Sequence, residues 1–199
     1  MAGTNRLRKW ESAALIALCF ALLCSSWAAA ASERVSDSLV RLHVIADSDE
    51  TVEQEIKLRV RDAVLNYLEP KLEDAPSSAA ARDIISDELE GIELAAESAA
   101  EGREVSVSLG EEYYPTRDYG TFSLPAGKYE SLRVTLGSGQ GHNWWCVVFP
   151  PLCLSAAEAE EAFSELDEGT RSVIAESDGV QFRFKLLELW GELMHLLGR

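Results

Sequence analysis

A single strand–helix unit, followed by closely spaced strands with turn residues between them, is the feature that most restricts this chain's fold. Leu39-Val40-Arg41-Leu42-His43-Val44-Ile45-Ala46 is a β-branched, partly alternating run that reads as a strand. Asp47-Ser48-Asp49-Glu50 ends it and offers helix N-caps. Val52, Ile56, Val60, Ala63, Val64, Tyr67 and Leu68 then recur at helical spacing up to Pro70. Glu53 stands four residues before Lys57 and Glu55 four before Arg59, the favourable order for i,i+4 ion pairs. A second helix is predicted over about Ala79–Ala100, with Ile84, Ile85, Leu89, Ile92 and Ala96 on one face and Gly91 weakening its middle.

From Val105 the pattern changes. Val105, Val107 and Leu109 alternate with polar residues, and Tyr113–Thr116 reads as irregular. Thr121–Leu124, the Pro125-Ala126-Gly127 turn and Tyr129–Leu136 predict a β-hairpin. Gly137, Gly139 and Gly141 lead into a strand over Trp144–Phe149. There Trp145, Val147 and Phe149 share one face and Trp144, Cys146 and Val148 the other. Both faces are apolar, so the strand is central or packed beneath a helix. Beyond Pro150-Pro151 a helix is expected over Ser155–Leu166, a linker over Glu168–Asp178, and a last helix that ends the chain. The sum is an α+β domain over roughly 36–197, with a largely antiparallel sheet packed against the Val52–Leu68 and Ala79–Ala100 helices.

Residues 1–31 stand apart. Arg6, Arg8 and Lys9 form a basic head, Ala13–Cys24 is an uncharged and mostly aliphatic run, and Ala28–Ala31 supplies an A-x-A end. This is the pattern of an export signal cut near Ala30 or Ala31. The uncharged stretch Ser12–Ser32 also has the length of an uncleaved membrane anchor. Either reading places the rest of the chain outside the cytoplasm, with membrane contact only through this N-terminal segment.

Charge narrows the partners. Among 199 residues, 34 acids face 18 bases, for a formal net charge of −16. Nucleic-acid binding rests on clustered Lys and Arg, and no basic stripe exists beyond the N-terminus. A nucleic-acid partner is therefore not expected.

Export also changes the reading of the cysteines. Cys146 and Cys153 are the two that remain after residue 31. In an exported domain a pair seven residues apart is most simply a disulfide. A zinc site would need two more ligands, and His142 and His43 complete no common zinc spacing. Free thiols are the third alternative. No metal and no cofactor are expected.

Three stretches look catalytic at first sight. Asp47-Ser48-Asp49-Glu50-Thr51-Val52 after a hydrophobic strand has the D-x-D-x-T-V form of haloacid-dehalogenase-type phosphatases, with Asp47 as nucleophile and Asp49 as general acid. Against an exported phosphate-ester hydrolase of this kind stand the hairpins, where repeated βα units are required. The plainer reading is a strand-to-helix turn with acids at the positive helix end. Gly137-x-Gly139-x-Gly141 lacks the following helix that a phosphate cradle needs. His142 with Cys146 lacks any oxyanion-hole context.

Residues 137–153, Gly-Ser-Gly-Gln-Gly-His-Asn-Trp-Trp-Cys-Val-Val-Phe-Pro-Pro-Leu-Cys, closely resemble the signature of the stage II sporulation protein R family. Arg41–Asp49 followed by Lys57–Val64 resembles its N-terminal block. Tyr114-Pro115-Thr116, Leu124–Tyr129 and Leu132-Arg133-Val134 resemble its middle, and Phe182-Arg183-Phe184-Lys185 its C-terminal block. The family usually has Asn where this chain has Asp47, which is hard to reconcile with a nucleophile there. The resemblance implies a signalling protein without enzymatic activity. It would be secreted from the forespore into the intermembrane space, where its partner is a membrane-embedded aspartic protease of the mother cell that processes a sigma-factor precursor.

The candidate partner-binding residues are Arg41, His43 and Asp49 at the strand-end turn, with His142 and Trp144 beside the glycine-rich loop. Polar residues on turns are free of core duty, so a demanding polar sequence there points beyond packing. The plainer alternative is a surface ion pair between Arg41 and Asp49, with Trp144 in the core.

Overall fold

The computed structural model describes residues 9–118 and 123–151. Its elements are helix α1 (Lys9–Asp37), strand β1 (Val40–Ile45), helices α2 (Thr51–Leu72), α3 (Ser78–Asp87) and α4 (Leu89–Ala99), and strands β2 (Val105–Tyr114), β3 (Arg117–Asp118), β4 (Ser123–Leu124), β5 (Gly127–Leu136) and β6 (Asn143–Phe149). The helices expected over Ser155–Leu166 and at the chain's end, the intervening linker and Cys153 lie outside the described residues.

The fold is α+β, and its four-stranded sheet is mixed. Strand order is β2-β5-β1-β6. β2 pairs antiparallel with β5 and β1 antiparallel with β6, but β1 and β5 run parallel. Two of the three pairings are antiparallel, in line with a largely antiparallel sheet, and the parallel pair that makes the sheet mixed follows from the long helical connection after β1. That connection delivers β2 to the far edge of the sheet. The β2–β5 hairpin then returns beside β1 in the same direction.

The predicted hairpin of Thr121–Leu124 with Tyr129–Leu136 does not form. β5 pairs residue for residue with β2, from Val105 opposite Leu136 to Tyr114 opposite Gly127. Tyr113 and Tyr114 therefore belong to a strand, and β4 pairs with β3 in a separate two-stranded ribbon. This ribbon is an excursion out of the long hairpin.

One face of the sheet is covered by helices. Val40, Leu42 and Val44 of β1, Leu132, Val134 and Leu136 of β5, and Cys146 and Val148 of β6 meet Ile56, Val60, Val64 and Leu68 of α2 and Ile85, Ile92 and Ala96 of α3 and α4. β6 is the sheet edge among the described residues and not a central strand; its Cys146 and Val148 pack beneath the helices, while Trp145 faces the opposite side. A bulge opposite Val40 and Arg41 pairs Val40 with Phe149, and Phe149 joins the helix-side core with Val148.

The helices depart from expectation in three ways. α2 continues through Pro70 to Leu72, which is buried. The single helix expected over Ala79–Ala100 breaks at Glu88, whose side chain accepts hydrogen bonds from Tyr67 (2.5 Å) and Lys71 (2.9 Å). Neither predicted i,i+4 pair on α2 forms. Glu53 pairs with Arg103 at 2.7 Å and Arg59 with Glu101 at 2.6 Å, tying α2 to the turn between α4 and β2.

α1 is a continuous helix through the expected cleavage region. Its final turn belongs to the body, with Val35 and Ser36 buried, while Leu15, Ile16, Phe20 and Leu23 are exposed.

Candidate functional site

Side chains alternate across a strand, so the residues between β1's apolar positions point away from the helices. Arg41 and His43 therefore found a second layer on the opposite face, and polar and aromatic residues of three strands surround them. Arg41 is fully buried, its guanidinium 4.0 Å from the centroid of Tyr114 and 5.0 Å from that of Tyr129. Such stacking is favoured for a weakly hydrated planar cation taken out of water. The surface Arg41–Asp49 ion pair is thereby excluded.

His43 is also buried. Its Nδ1 lies 3.1 Å from Glu112 Oε2 and its Nε2 3.0 Å from Asn143 Oδ1. The ring sits 5.6 Å from that of Trp145. Glu112 gathers the cluster: it accepts a 2.6 Å hydrogen bond from Ser131 Oγ and pairs with Arg133. Burial pushes the Glu112 carboxyl up, but hydrogen bonds from Ser131 and His43 and the charges of His43 and Arg133 outweigh it, and its pKa falls below the ordinary 4.5.

The strand-end turn after β1 is laced to the glycine-rich loop. Asp47 Oδ1 accepts from Ser138 N (2.6 Å), and the Asp47 carbonyl accepts from the Ser138 hydroxyl (3.0 Å) and from Gln140 N (3.2 Å). The Ser138 bonds hold the Asp47 carboxyl below its usual range. Asp49 Oδ1 accepts from His142 N at 2.7 Å and lies 2.5 Å from His142 Nδ1. Glycines are required in this loop. Gly137 has φ +51°, and a Cβ on Gly141 would run into the Ser48 carbonyl. The expected capping role fails: the N-cap of α2 is Glu50, with no side-chain cap bond, and Asp47 and Asp49 serve the other loop.

Lys57 of α2 completes this seam. It is buried, and its ammonium donates to Gln54 Oε1 (2.5 Å) and to the His142 carbonyl (2.9 Å). Burial lowers its pKa, against the opposing influence of Asp49.

The two tryptophans divide as the alternation predicts. Trp144 lies on the helix side, 37% exposed, under the guanidinium of Arg61 at 4.5 Å. Trp145 lies on the polar side, with Arg117 of β3 over its ring at 3.8 Å. Asp49 and His142 are more than half exposed. The five candidate residues thus fall into three places: Arg41 and His43 inside the polar layer, Asp49 and His142 on the laced turns, and Trp144 on the far side of β6.

An open pocket of about 440 Å³ joins the first two places. Among the described residues it is lined by Asp49, Arg117, Gln140, Gly141, His142, Asn143 and Trp145. His43 reaches it through Asn143. Glu112, Arg117, Ser131 and Asn143 were missed by sequence reasoning. The available clue was the pair Arg41 and His43 itself, since two basic side chains inside a strand require polar partners on the neighbouring strands. Among the described residues no group of three His, Cys, Asp or Glu side chains could hold a metal ion.

No solved structure matches this chain. It is 36% identical over 138 residues to stage II sporulation protein R of Bacillus subtilis strain 168, a match covering 67% of this chain and 62% of that protein. The aligned region therefore spans less than two thirds of the relative's length. The sequence model of stage II sporulation protein R matches residues 36–159, which include β1, the three helices after it, the polar layer and both laced turns. The chain belongs to the stage II sporulation protein R family.

Proposed function

We propose that this protein is an exported sporulation signal. In this reading it is secreted from the forespore through its N-terminal segment into the space between forespore and mother-cell membranes. There it activates a membrane-embedded aspartic protease of the mother cell, which processes a sigma-factor precursor. The observation that carries the reading is the family match across residues 36–159. The exposed Asp49–His142 turn beside an open pocket suits a protein that works by being recognised.

The hydrolase alternative asks Asp47 and Asp49 to attack and to protonate. Each instead has an oxygen committed to a backbone N–H of the glycine-rich loop, Asp47 to Ser138 and Asp49 to His142. An Asn at position 47 retains that acceptor oxygen.

The test is reconstitution of precursor cleavage with the purified exterior domain and the membrane protease. Cleavage that depends on the added domain supports the proposal, and cleavage indifferent to it removes the proposal. Asp47→Asn separates the two functions: a signal keeps its activity, whereas a hydrolase loses its nucleophile.

A further inference from the structure

The pocket beside the laced turns is lined by a cation that has no acidic partner among the described residues. Arg117 lies with its guanidinium over the Trp145 ring, 3.8 Å from the centroid, and its Nε is buried with no hydrogen-bond acceptor. Among the described residues no carboxylate pairs with it, in a chain where acids outnumber bases by 34 to 18. Arg103, Arg59 and Arg133 all have acidic partners. Leaving a buried donor unsatisfied costs stability, so an arginine held this way is poised for an acceptor from outside.

The rest of the lining says what kind of acceptor fits. Asn143 Oδ1 faces His43 Nε2, which leaves the Asn143 amide hydrogens available to the pocket. Gln140 is exposed and adds a second amide. Asp49 also borders the cavity, and its negative charge works against a dianion such as phosphate. Its Oδ1 is already engaged by His142 N and Nδ1, which moderates that charge toward a singly charged group. A volume of about 440 Å³ exceeds what a small ion needs and falls in the range of pockets that enclose organic ligands. Sugar stacking is disfavoured, since Trp145 has Arg117 over one face and His43 tilted against it.

We propose that this pocket binds a peptide carboxylate, with Arg117 as its anchor and the Asn143 and Gln140 amides holding the adjoining peptide group. The inference deepens the signalling proposal and rests on it only for the identity of the peptide's owner. The recognition chemistry stands apart from it. A guanidinium fork pairs with a carboxylate through two parallel hydrogen bonds, and its stacking on Trp145 fixes its orientation before the ligand arrives.

The test is titration of the full chain with acetyl-trialanine carrying a free C-terminal carboxylate, followed by the backbone signals of Gly141 and Asn143 and the Trp145 indole in NMR spectra. The expected result is a saturable shift confined to these signals, with the C-terminally amidated peptide at least roughly tenfold weaker. Arg117→Gln should abolish the shift and Arg117→Lys should weaken it, because a lysine lacks the planar fork. Should Arg117→Gln fail to fold, Gln140→Glu serves instead: it alters an exposed side chain, places a like charge beside the ligand and should weaken binding.

Equal binding of the free acid and the amide would overturn the proposal, as would stronger binding of inorganic phosphate than of the peptide. The same holds for undiminished binding by a folded Arg117→Gln protein. These outcomes are read without the protease, so they are distinct from failure of the reconstituted cleavage. A chain that binds the peptide yet stimulates no cleavage would refute the signalling reading and leave the pocket's chemistry intact.

Discussion

The guanidinium of Arg41 lies 4.0 Å from the ring centroid of Tyr114, in the interior of the sheet face opposite α2, α3 and α4. A fully buried arginine in the central β1–β5 pair is a structural commitment. Its removal leaves a void and strips the Tyr114 and Tyr129 rings of their shared cation. Arg41→Ala is expected to destabilise the protein by roughly 2–4 kcal/mol, by loss of buried packing and desolvated cation–π contact. Arg41→Lys keeps the charge but cannot stack as a plane, and should fall between the two. Urea denaturation measures both. Wild-type stability in Arg41→Ala would contradict the interior assignment.

Glu112 predicts the acid limb of stability. Its folded pKa is depressed below 4.5, chiefly by hydrogen bonds from Ser131 and His43 acting against burial. For a depressed carboxylate the unfolded chain takes up the proton first as pH falls. Its contribution is therefore complete above the ordinary 4.5 and is lost as pH falls through the lowered folded value. Glu112→Gln should melt at lower temperature than wild type near neutrality. The difference should shrink progressively as pH is taken below 4.5. Melting curves across that range decide it, and a gap that widens on acidification would refute the assignment.

Local patterning told most about β1, α2 and the helix-facing half of the sheet, where apolar periodicity and burial coincide. It told least where a residue's partner is remote in sequence. Glu53 and Lys57 read as a helical pair, yet Glu53 reaches Arg103 and Lys57 the His142 carbonyl. The parallel β1–β5 pairing was hidden because each strand by itself looks suited to antiparallel neighbours. Gly91 read as a weakness in its helix, but an added Cβ there would run into the Tyr67 hydroxyl, so the glycine lets α2 and α4 approach. Asp47 and Asp49 resembled a catalytic pair because chemistry and loop stapling both place short carboxylates at a strand end. The distinction lay in which N–H groups they meet, Ser138 and His142, about ninety residues away.

A disulfide between Cys146 and Cys153 is the expected state of the exported protein. Cys146 is buried on the helix side of β6, and Cys153 lies outside the described residues. Closing so short a loop would stabilise the fold by about 2.5 kcal/mol in the chain-entropy account. A peptide map of the unreduced, alkylated chain should contain the two residues in one linked species. Alkyl adducts on both without reductant would show that they are not bonded.

The turn of Asp49 and His142 is where signalling and stability should come apart. Both side chains are more than half exposed, so their mutual ion pair contributes little to folding. They nevertheless fix the rim of the pocket, because Asp49 Oδ1 holds both the backbone N–H and the ring of His142. Asp49→Ala should leave the melting temperature close to wild type while reducing stimulation of precursor cleavage. His43→Ala is predicted to behave differently. It removes a buried ring that bridges Glu112 and Asn143, so stability and stimulation should fall together. Measuring both quantities on both variants separates the rim from its support. If Asp49→Ala stimulates cleavage as well as wild type does, the laced turn has no part in recognition. If it also melts many degrees lower, Asp49 is holding the fold and the loss of signal carries no information about the surface. Only a stable Asp49→Ala protein with reduced stimulation would place the receptor at this turn.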